Sequence, residues 1–236
     1  MKNKKILIIC TSLNMGGAEK QSVWLANKLS NNYDVYYFSL KSSGVLKKYF
    51  DEKVEVKNFH LKRSSNVFSK IFYVVIGGYR LYKLVKSENI NHMITFLFHS
   101  NLYGKFVKLF TRHRINHVIA VRNDRLSKRT SKLSKLRTLV FKYFIIDKKS
   151  TIVFNSNTGQ KKFNLGKKYV QTVILNSPSN VPNLSLKKNK QFIYVGRLDE
   201  LKNTTELVKA IKYLTKKYNK ITLDIFGKGP NYQFIK

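Results

Sequence analysis

The sequence predicts an open α/β fold of parallel strands, followed by a second, smaller unit of the same kind. Strand-like apolar segments recur at about 6–11, 33–39, 54–60, 92–98, 117–122, 151–155, 171–175, 191–196 and 221–226. Several are continuous runs of Ile, Val, Phe and Tyr rather than alternations, as strands covered on both faces require. Amphipathic helical patterns lie between them, and this order is that of a doubly wound parallel sheet.

The first strand, Ile6 to Cys10, empties into Thr11-Ser12-Leu13-Asn14-Met15-Gly16-Gly17-Ala18-Glu19. The helix expected after Gly17 carries Ala18, Leu25 and Leu29 along one face. Two further helical stretches are basic. One, Val67 to Lys86, sets Ile71, Val74, Val75 and Tyr82 against Lys70, Arg80, Lys83 and Lys86. The other, Ser127 to Lys149, sets Leu133, Leu136, Val140 and Phe144 against Lys128, Arg129, Lys132, Lys135 and Lys142. The span Asn176 to Lys190 holds Pro178, Pro182 and three serines in a strand-free, basic stretch and reads as a linker. The expected domains are therefore 1–176 and 191–236, joined by 177–190. In the second, Phe192 to Gly196 is a strand, Asn203 is placed to cap a helix with Glu206 as capping-box partner, and Leu207, Val208, Ile211, Leu214 and Tyr218 follow at helical spacing. A last strand runs into Gly227-Lys228-Gly229-Pro230.

The chain has 236 residues, with 46 Lys and Arg against 12 Asp and Glu, a net charge of +34. Such a balance points to polyanionic partners, whether nucleic acid, anionic membrane or phosphorylated substrate. Lysines spread from end to end in a chain rich in Asn, Ile and Tyr also fit compositional drift. The single cysteine, Cys10, excludes a disulfide framework and falls in an apolar strand, where an inert core thiol is expected. The apolar run after the basic first residues ends at Cys10, too short for a signal-peptide core, and Ile71 to Tyr79 falls well short of the roughly 20 residues that span a bilayer. A cytoplasmic protein is the expectation.

Parallel strands opening into helices build anion sites from backbone N–H groups and the helix dipole. Gly16 and Gly17 keep side chains out of such a place, although a plain tight turn uses glycines too. Their order matches neither the dinucleotide fingerprint nor the P-loop. Arg197, just past one strand, and Lys202, just before a helix, put two cations near one helix start, where a diphosphate would fit. Cleaving a sugar from a nucleoside diphosphate loads negative charge on the departing phosphate, and fixed cations there stabilise the transition state. Some transferases hold a metal there with Asp-x-Asp, which this sequence lacks, so a metal-free solution without cofactor is favoured. His99, Asn101, Arg122 and Asn123 lie just beyond two apolar strands and open on the same expected crevice. His99 could orient a hydroxyl or assist proton transfer, against the plainer reading of a structural histidine.

The Gly16-Gly17-Ala18-Glu19 stretch, the Gly196-Arg197-Leu198 and Lys202-Asn203 pair, and Gly227-Lys228-Gly229-Pro230 together resemble the retaining glycosyltransferases of family four, of the bacterial surface-polysaccharide type. The resemblance implies a GT-B fold, in which two facing Rossmann-like domains hold a sugar nucleotide in the cleft between them. It implies donor-diphosphate binding by Arg197 and Lys202, a donor-facing glycine turn at Gly16 and Gly17, and nucleotide contact at Gly227 and Gly229. Less specifically it extends donor or acceptor contact to Asn101, Arg122 and Asn123. The partners implied are a nucleotide-sugar donor and a glycan or lipid-linked acceptor, with retention of configuration. The family's E-x7-E element has no counterpart here, so the second domain is expected to be incomplete and the chain a truncated form or fragment.

For the basic helices the favoured reading is that the apolar stripes pack on the sheet and the lysines are solvated, with the basic faces touching an anionic membrane. The protein would then sit peripherally at the inner face of the cell membrane. Two other readings stay open: a nucleic-acid binder, against which no nucleic-acid motif appears and arginine is scarce beside lysine, and a non-catalytic remnant that binds membrane or a partner.

Overall fold

The computed structural model describes residues 4–41, 43–58, 67–112, 114–122, 132–176, 191–218 and 221–235. The chain divides into two compact units, Met1–Pro178 and Ser179–Lys236. In the first, β1 (Lys5–Cys10), α1 (Gly17–Leu29), β2 (Asp34–Ser39) and β3 (Val54–Asn58) are followed by α2 (Val67–Ser87), β4 (His92–Phe96) and α3 (Phe98–Phe110). Then come β5 (Asn116–Val121), α4 (Lys132–Leu139) running into a π-helical turn (Val140–Ile145), β6 (Ser150–Phe154), α5 (Asn157–Phe163) and β7 (Val170–Val173). The seven strands form one parallel sheet in the order β3-β2-β1-β4-β5-β6-β7.

Successive residues of a strand face opposite ways, and β1 shows why its sequence is apolar throughout. Ile6, Ile8 and Cys10 pack with Val23 and Ala26 of α1 and with Val35 and Tyr37 of β2. Leu7 and Ile9 pack with Leu81 and Val85 of α2 and with Tyr103 and Val107 of α3. Both faces are covered, so after Lys5 no position of β1 is left for a polar side chain. Cys10 is fully buried, and burial pushes its thiol pKa up, as an inert core thiol requires.

Three expected helix faces need correction. On α1 the buried residues are Ser22, Val23 and Ala26, while Leu25 and Leu29 are only partly covered. Ser22 can turn inward because its hydroxyl lies 2.7 Å from the Tyr37 hydroxyl and donates to the Glu19 carbonyl. On α2 the buried residues are Gly77, Gly78, Leu81 and Val85, leaving Val75 exposed and Tyr82 half-buried. The glycines set this rotation: a Cβ on Gly77 would lie 2.3 Å from the Tyr103 ring and one on Gly78 2.7 Å from Phe106, so α2 meets α3 through bare backbone. Along α4 the α-helical register slips at the π-helical turn, where the Ile146 N–H donates to the Phe141 carbonyl. Phe141 and Ile145 are buried as a result, and Leu136 and Phe144 are exposed. The beginning of that basic stretch lies outside the described residues, as do the side chains of Ile71 and Leu133.

The amino-terminal side of the sheet holds buried charge that is fully partnered. Lys108, fully buried, donates to Asp147 and to Ser150, each at 2.8 Å, and Lys105 donates to Asp147 at 3.1 Å. Burial alone would raise the Asp147 pKa, but these hydrogen bonds outweigh it and hold the carboxyl well below its usual range. Nearby, His117 bonds Thr95 through Nε2 at 2.9 Å, while its buried Nδ1 has no partner.

The second unit contains β8 (Gln191–Val195), a 3-10 turn (Glu200–Lys202), α6 (Thr204–Lys217), β9 (Thr222–Phe226) and the short α7 (Tyr232–Ile235). Its two strands pair in parallel. As the spacing predicts, Leu207, Val208, Ile211 and Leu214 are the half-buried side of α6, whereas Tyr218 is exposed. Ile193, Val195 and Phe226 on the strands are exposed, and the tightest burial belongs to Leu198 and Thr204, in and beside the loops. No helix among the described residues is long and apolar enough to cross a membrane.

Burial first, then the charge of Lys108, lowers the His117 pKa to about 3. The unfolded chain takes up this proton near pH 6.5, so the contribution to stability is complete above that pH and lost as pH falls toward 3. Between pH 7 and 4.5 this group alone should remove about 2 kcal/mol of unfolding free energy. Urea titrations of His117→Gln at the two pH values should show that component gone; an unchanged pH dependence would refute the assignment.

Candidate functional site

The sheet order reverses at β1, which lies between β2 and β4. In open α/β sheets, ligands enter the crevice at such a reversal, outside the strand carboxyl ends. There the Thr11 hydroxyl, just past β1, lies 3.2 Å from that of Ser100 in the first turn of α3. Asn101 is 2% exposed, and its Oδ1 has no hydrogen-bond partner among the described residues. The turn from β4 into α3 passes through Leu97 at φ +71°, a left-handed conformation that is costly for a leucine. Strain of this kind collects where a site fixes its backbone.

His99 follows two residues later, inside α3 rather than at the strand end. It makes no hydrogen bond among the described residues, and Phe98 meets its ring edge-on at 5.7 Å. The residue keeps some solvent exposure, but desolvation of the ring, then the charges of Arg137 and Lys41, lower its pKa below the usual histidine value. It is therefore neutral at pH 7 and can accept or donate a hydrogen bond. Arg122, one residue past β5, stacks 5.2 Å from the centre of the Phe96 ring and donates through Nη1 to Asn176 Oδ1. Its buried Nε has no partner among the described residues. Asn123 lies outside the described residues.

The two glycines after β1 prove unequal. A Cβ on Gly16 would lie 2.1 Å from the Glu19 carboxylate, which accepts a hydrogen bond from Ser12 at 3.2 Å. The start of α1 thus has an acid of its own against Gly16, in the favourable place for a carboxylate on a helix dipole. Gly17 has nothing within 4 Å and is the open backbone position.

In the second unit one carboxylate organises the loop after β8. Asp199 Oδ2 pairs with Arg197 Nη2 at 2.7 Å, and Asp199 Oδ1 accepts from the Lys202 backbone N–H at 3.1 Å. Arg197 and Lys202 are thereby tied to one turn, with both side chains exposed. Asn203 does not cap α6 as expected: it takes a left-handed conformation, φ +51°, with no side-chain cap, and Glu206 pairs with Lys209 instead. Asp199 does the capping, one turn earlier.

Gly227 and Gly229 belong to a backbone ladder that prolongs the sheet beyond its strands. Gly196 N–H donates to Phe226 O, Leu198 N–H to Lys228 O and Asn231 N–H to Leu198 O, at 3.0 to 3.1 Å. A Cβ on Gly227 would sit 1.9 Å from the Gly196 carbonyl oxygen and one on Gly229 2.2 Å from that of Leu198. These glycines hold the β9 loop against the loop that carries Arg197. Among the described residues no three His, Cys, Asp or Glu side chains gather as metal ligands would.

Thr11, Ser12, Ser100, Asn176 and Asp199 escaped the sequence reading. Each is a small polar residue within a few positions of a strand end, which was the available signal; the partners of Thr11, Ser100 and Asn176 are far away in sequence, and those of Ser12 and Asp199 are set by the local path of the chain.

Residues 178–236 match the family model described as Glycosyl transferases group 1. The fold is similar to that of HepE from Anabaena, solved with UDP and glucose: TM-score 0.71, 16% identity, covering 99% of this chain and 64% of HepE. The lipopolysaccharide outer core galactosyltransferase WaaB gives 0.65 at 15% identity, covering 98% and 63%. A TarM variant from S. aureus, solved with Fondaparinux, alpha-GlcNAc-glycerol and UDP, gives 0.69 at 12%, covering 98% and 74%. The architecture is the α/β fold of GT-B glycosyltransferases. The chain spans less than two thirds of the length of HepE and WaaB. No curated protein matches it.

Replacing Gly227 or Gly229 by Ala should loosen the loop pair by about 2 kcal/mol, seen as amide exchange at Leu198 and Lys202 faster by on the order of thirtyfold. Gly17→Ala, with open space around it, should leave exchange unchanged. Equal behaviour of the three variants would rule out the ladder as the reason for these glycines.

Proposed function

We propose that this protein is a retaining, metal-independent glycosyltransferase that moves a sugar from a nucleoside diphosphate to a glycan or lipid-linked acceptor in surface-polysaccharide assembly. The observation that carries this is Asp199 holding Arg197 and the Lys202 turn together at the end of β8, inside the segment that matches the glycosyltransferase family model. UDP, found with HepE and TarM, is the nucleotide diphosphate favoured for the donor.

In this reading the donor diphosphate lies against Arg197 and Lys202. As the bond from the anomeric carbon to the phosphate oxygen breaks, negative charge grows on that oxygen and the sugar becomes oxocarbenium-like. Cations fixed beforehand meet that charge without reorganising, and each such contact lowers the barrier by about 3 kcal/mol. The salt bridge to Asp199 pre-orients the guanidinium and so reduces the cost of ordering it when donor arrives. The neutral His99, the unpaired Oδ1 of Asn101 and the open backbone at Gly17 supply hydroxyl partners at the strand ends of the first unit. Arg122, whose Nε is unpaired, supplies a cation there for donor or acceptor, and Asn123 follows it in sequence. Gly227 and Gly229 act by holding the Arg197 loop. The protein works on the cytoplasmic side, attached peripherally to the inner face of the membrane that carries its acceptor.

Calorimetric titration with UDP-glucose and UDP-galactose should give heat with the wild type and a loss of affinity of about tenfold or more in Arg197→Ala and in Lys202→Ala, since each removes a charged diphosphate contact. Unaltered affinity in both variants would overturn the assignment.

A further inference from the structure

We infer that α2, the end of α3 and the π-helical turn together present a docking surface for an anionic lipid bilayer. The inference rests on the reading above for its purpose, by assigning the membrane contact to one surface, while its geometry is independent of the sugar site. Tyr79, Tyr82 and Phe110 form a triangle with ring centres 5.8 to 5.9 Å apart. Phe106, one turn before Phe110, lies 5.9 Å from Phe144 on the π-helical turn and continues the strip. These rings are not core residues: Tyr79 is 45% exposed, Phe144 39%, and Tyr143 beside it 82%. Exposed rings gathered side by side, rather than scattered singly, mark a candidate interaction site.

Charge identifies the partner. Lys83 lies over the Tyr79 ring at 5.1 Å, and Arg80 and Lys86 on α2 and Arg112 and Arg114 just after α3 are exposed. Across α2, α3, α4 and the π-helical turn the sequence has no Asp or Glu at all. A second copy of this chain, at +34, would be repelled by the same surface. Nucleic-acid bases need free ring faces on which to stack, but here the rings meet one another, Phe110 edge-on to Tyr79, and Lys83 covers Tyr79. Exposed tyrosines and phenylalanines with exposed lysines and arginines on the same elements suit the boundary between acyl chains and anionic headgroups.

The test uses the full chain with vesicles of phosphatidylcholine alone or mixed with phosphatidylglycerol. Wild type should pellet with the anionic vesicles only. Tyr82→Ser/Phe110→Ser should lower that partition about tenfold and make the remainder fully salt-labile. Lys83→Ala/Arg112→Ala, which leaves the rings in place, should weaken binding at low salt and serves if the ring variant fails to fold. Trp24, the sole tryptophan, is on α1 across the sheet; in a Trp24→Phe background, Phe110→Trp should blue-shift on anionic vesicles. The inference is overturned if both pairs of variants pellet like wild type, if zwitterionic vesicles bind equally, or if a single-stranded oligonucleotide gives the same shift and displaces the vesicles. UDP-glucose titration separates this surface from the sugar site: the surface variants should keep the donor heat of the wild type, a wild type that gives donor heat but does not bind anionic vesicles sinks the surface alone, and one that binds vesicles without donor heat sinks the donor reading alone.

Discussion

Burial of β1 on both faces is the constraint from which the rest of the first unit follows. Leu7, Ile8, Ile9 and Cys10 have no exposed surface, so the first polar side chain after them can appear only where the strand runs out. β4 and β5 likewise end on apolar residues, Phe96 and Val121, and the buried polar residues inside them, Thr95 and His117, bond to each other. Thr11, Ser100, Asn101 and Arg122 thus collect at one end of the sheet by exclusion from its middle, and the order reversal between β1 and β4 leaves room for them. Once apolar strands are closed in by helices on both sides, chemistry at their carboxyl ends needs no further folding information.

Strand positions were legible because a parallel strand covered on both faces writes itself as an unbroken apolar run, and all nine segments appear as strands where the residues are described. Helix faces were less legible. On α2 Val74 does pack on the core, but Val75 and Tyr82 do not belong to the buried side, since Gly77 and Gly78 bring α3 so close that backbone replaces a side-chain ridge. Along α4 a π-helical turn breaks the 3.6-residue period on which the reading depended. Asn203 had the right residue type for a cap but a left-handed backbone, and Asp199 had already taken the capping role. Residue type announces a cap; only the path of the chain says which residue supplies it.

At the candidate site, the cations were visible and the groups that hold them were not. Arg197 and Lys202 stand out as basic residues at a strand end and a helix start. Asp199 looks like one more loop acid until its two oxygens are seen to reach both the guanidinium and the Lys202 amide. Glu19 is similar: in sequence it follows the glycines, and in space it lies back against Gly16 and takes the Ser12 proton donor. In both places a carboxylate fixes the loop before any ligand arrives.

Acids are scarce enough that their placement is informative. The chain has 12 against 46 basic residues, and those at structural points are committed: Asp147 to Lys105 and Lys108, Asp199 to Arg197, Glu88 to Tyr36 and Lys5. Exposed ion pairs contribute little to stability, about 0 to 1 kcal/mol each, so the remaining lysines are not explained as staples of the fold. Compositional drift alone would scatter acids and bases without regard to surface. Here the acid-free segment runs through α2, α3 and α4, broken only by Glu88, bound to Tyr36, and by Asp124 in the stretch before α4. Exposed rings occur on those same helices, so aromatic surface and missing negative charge coincide there.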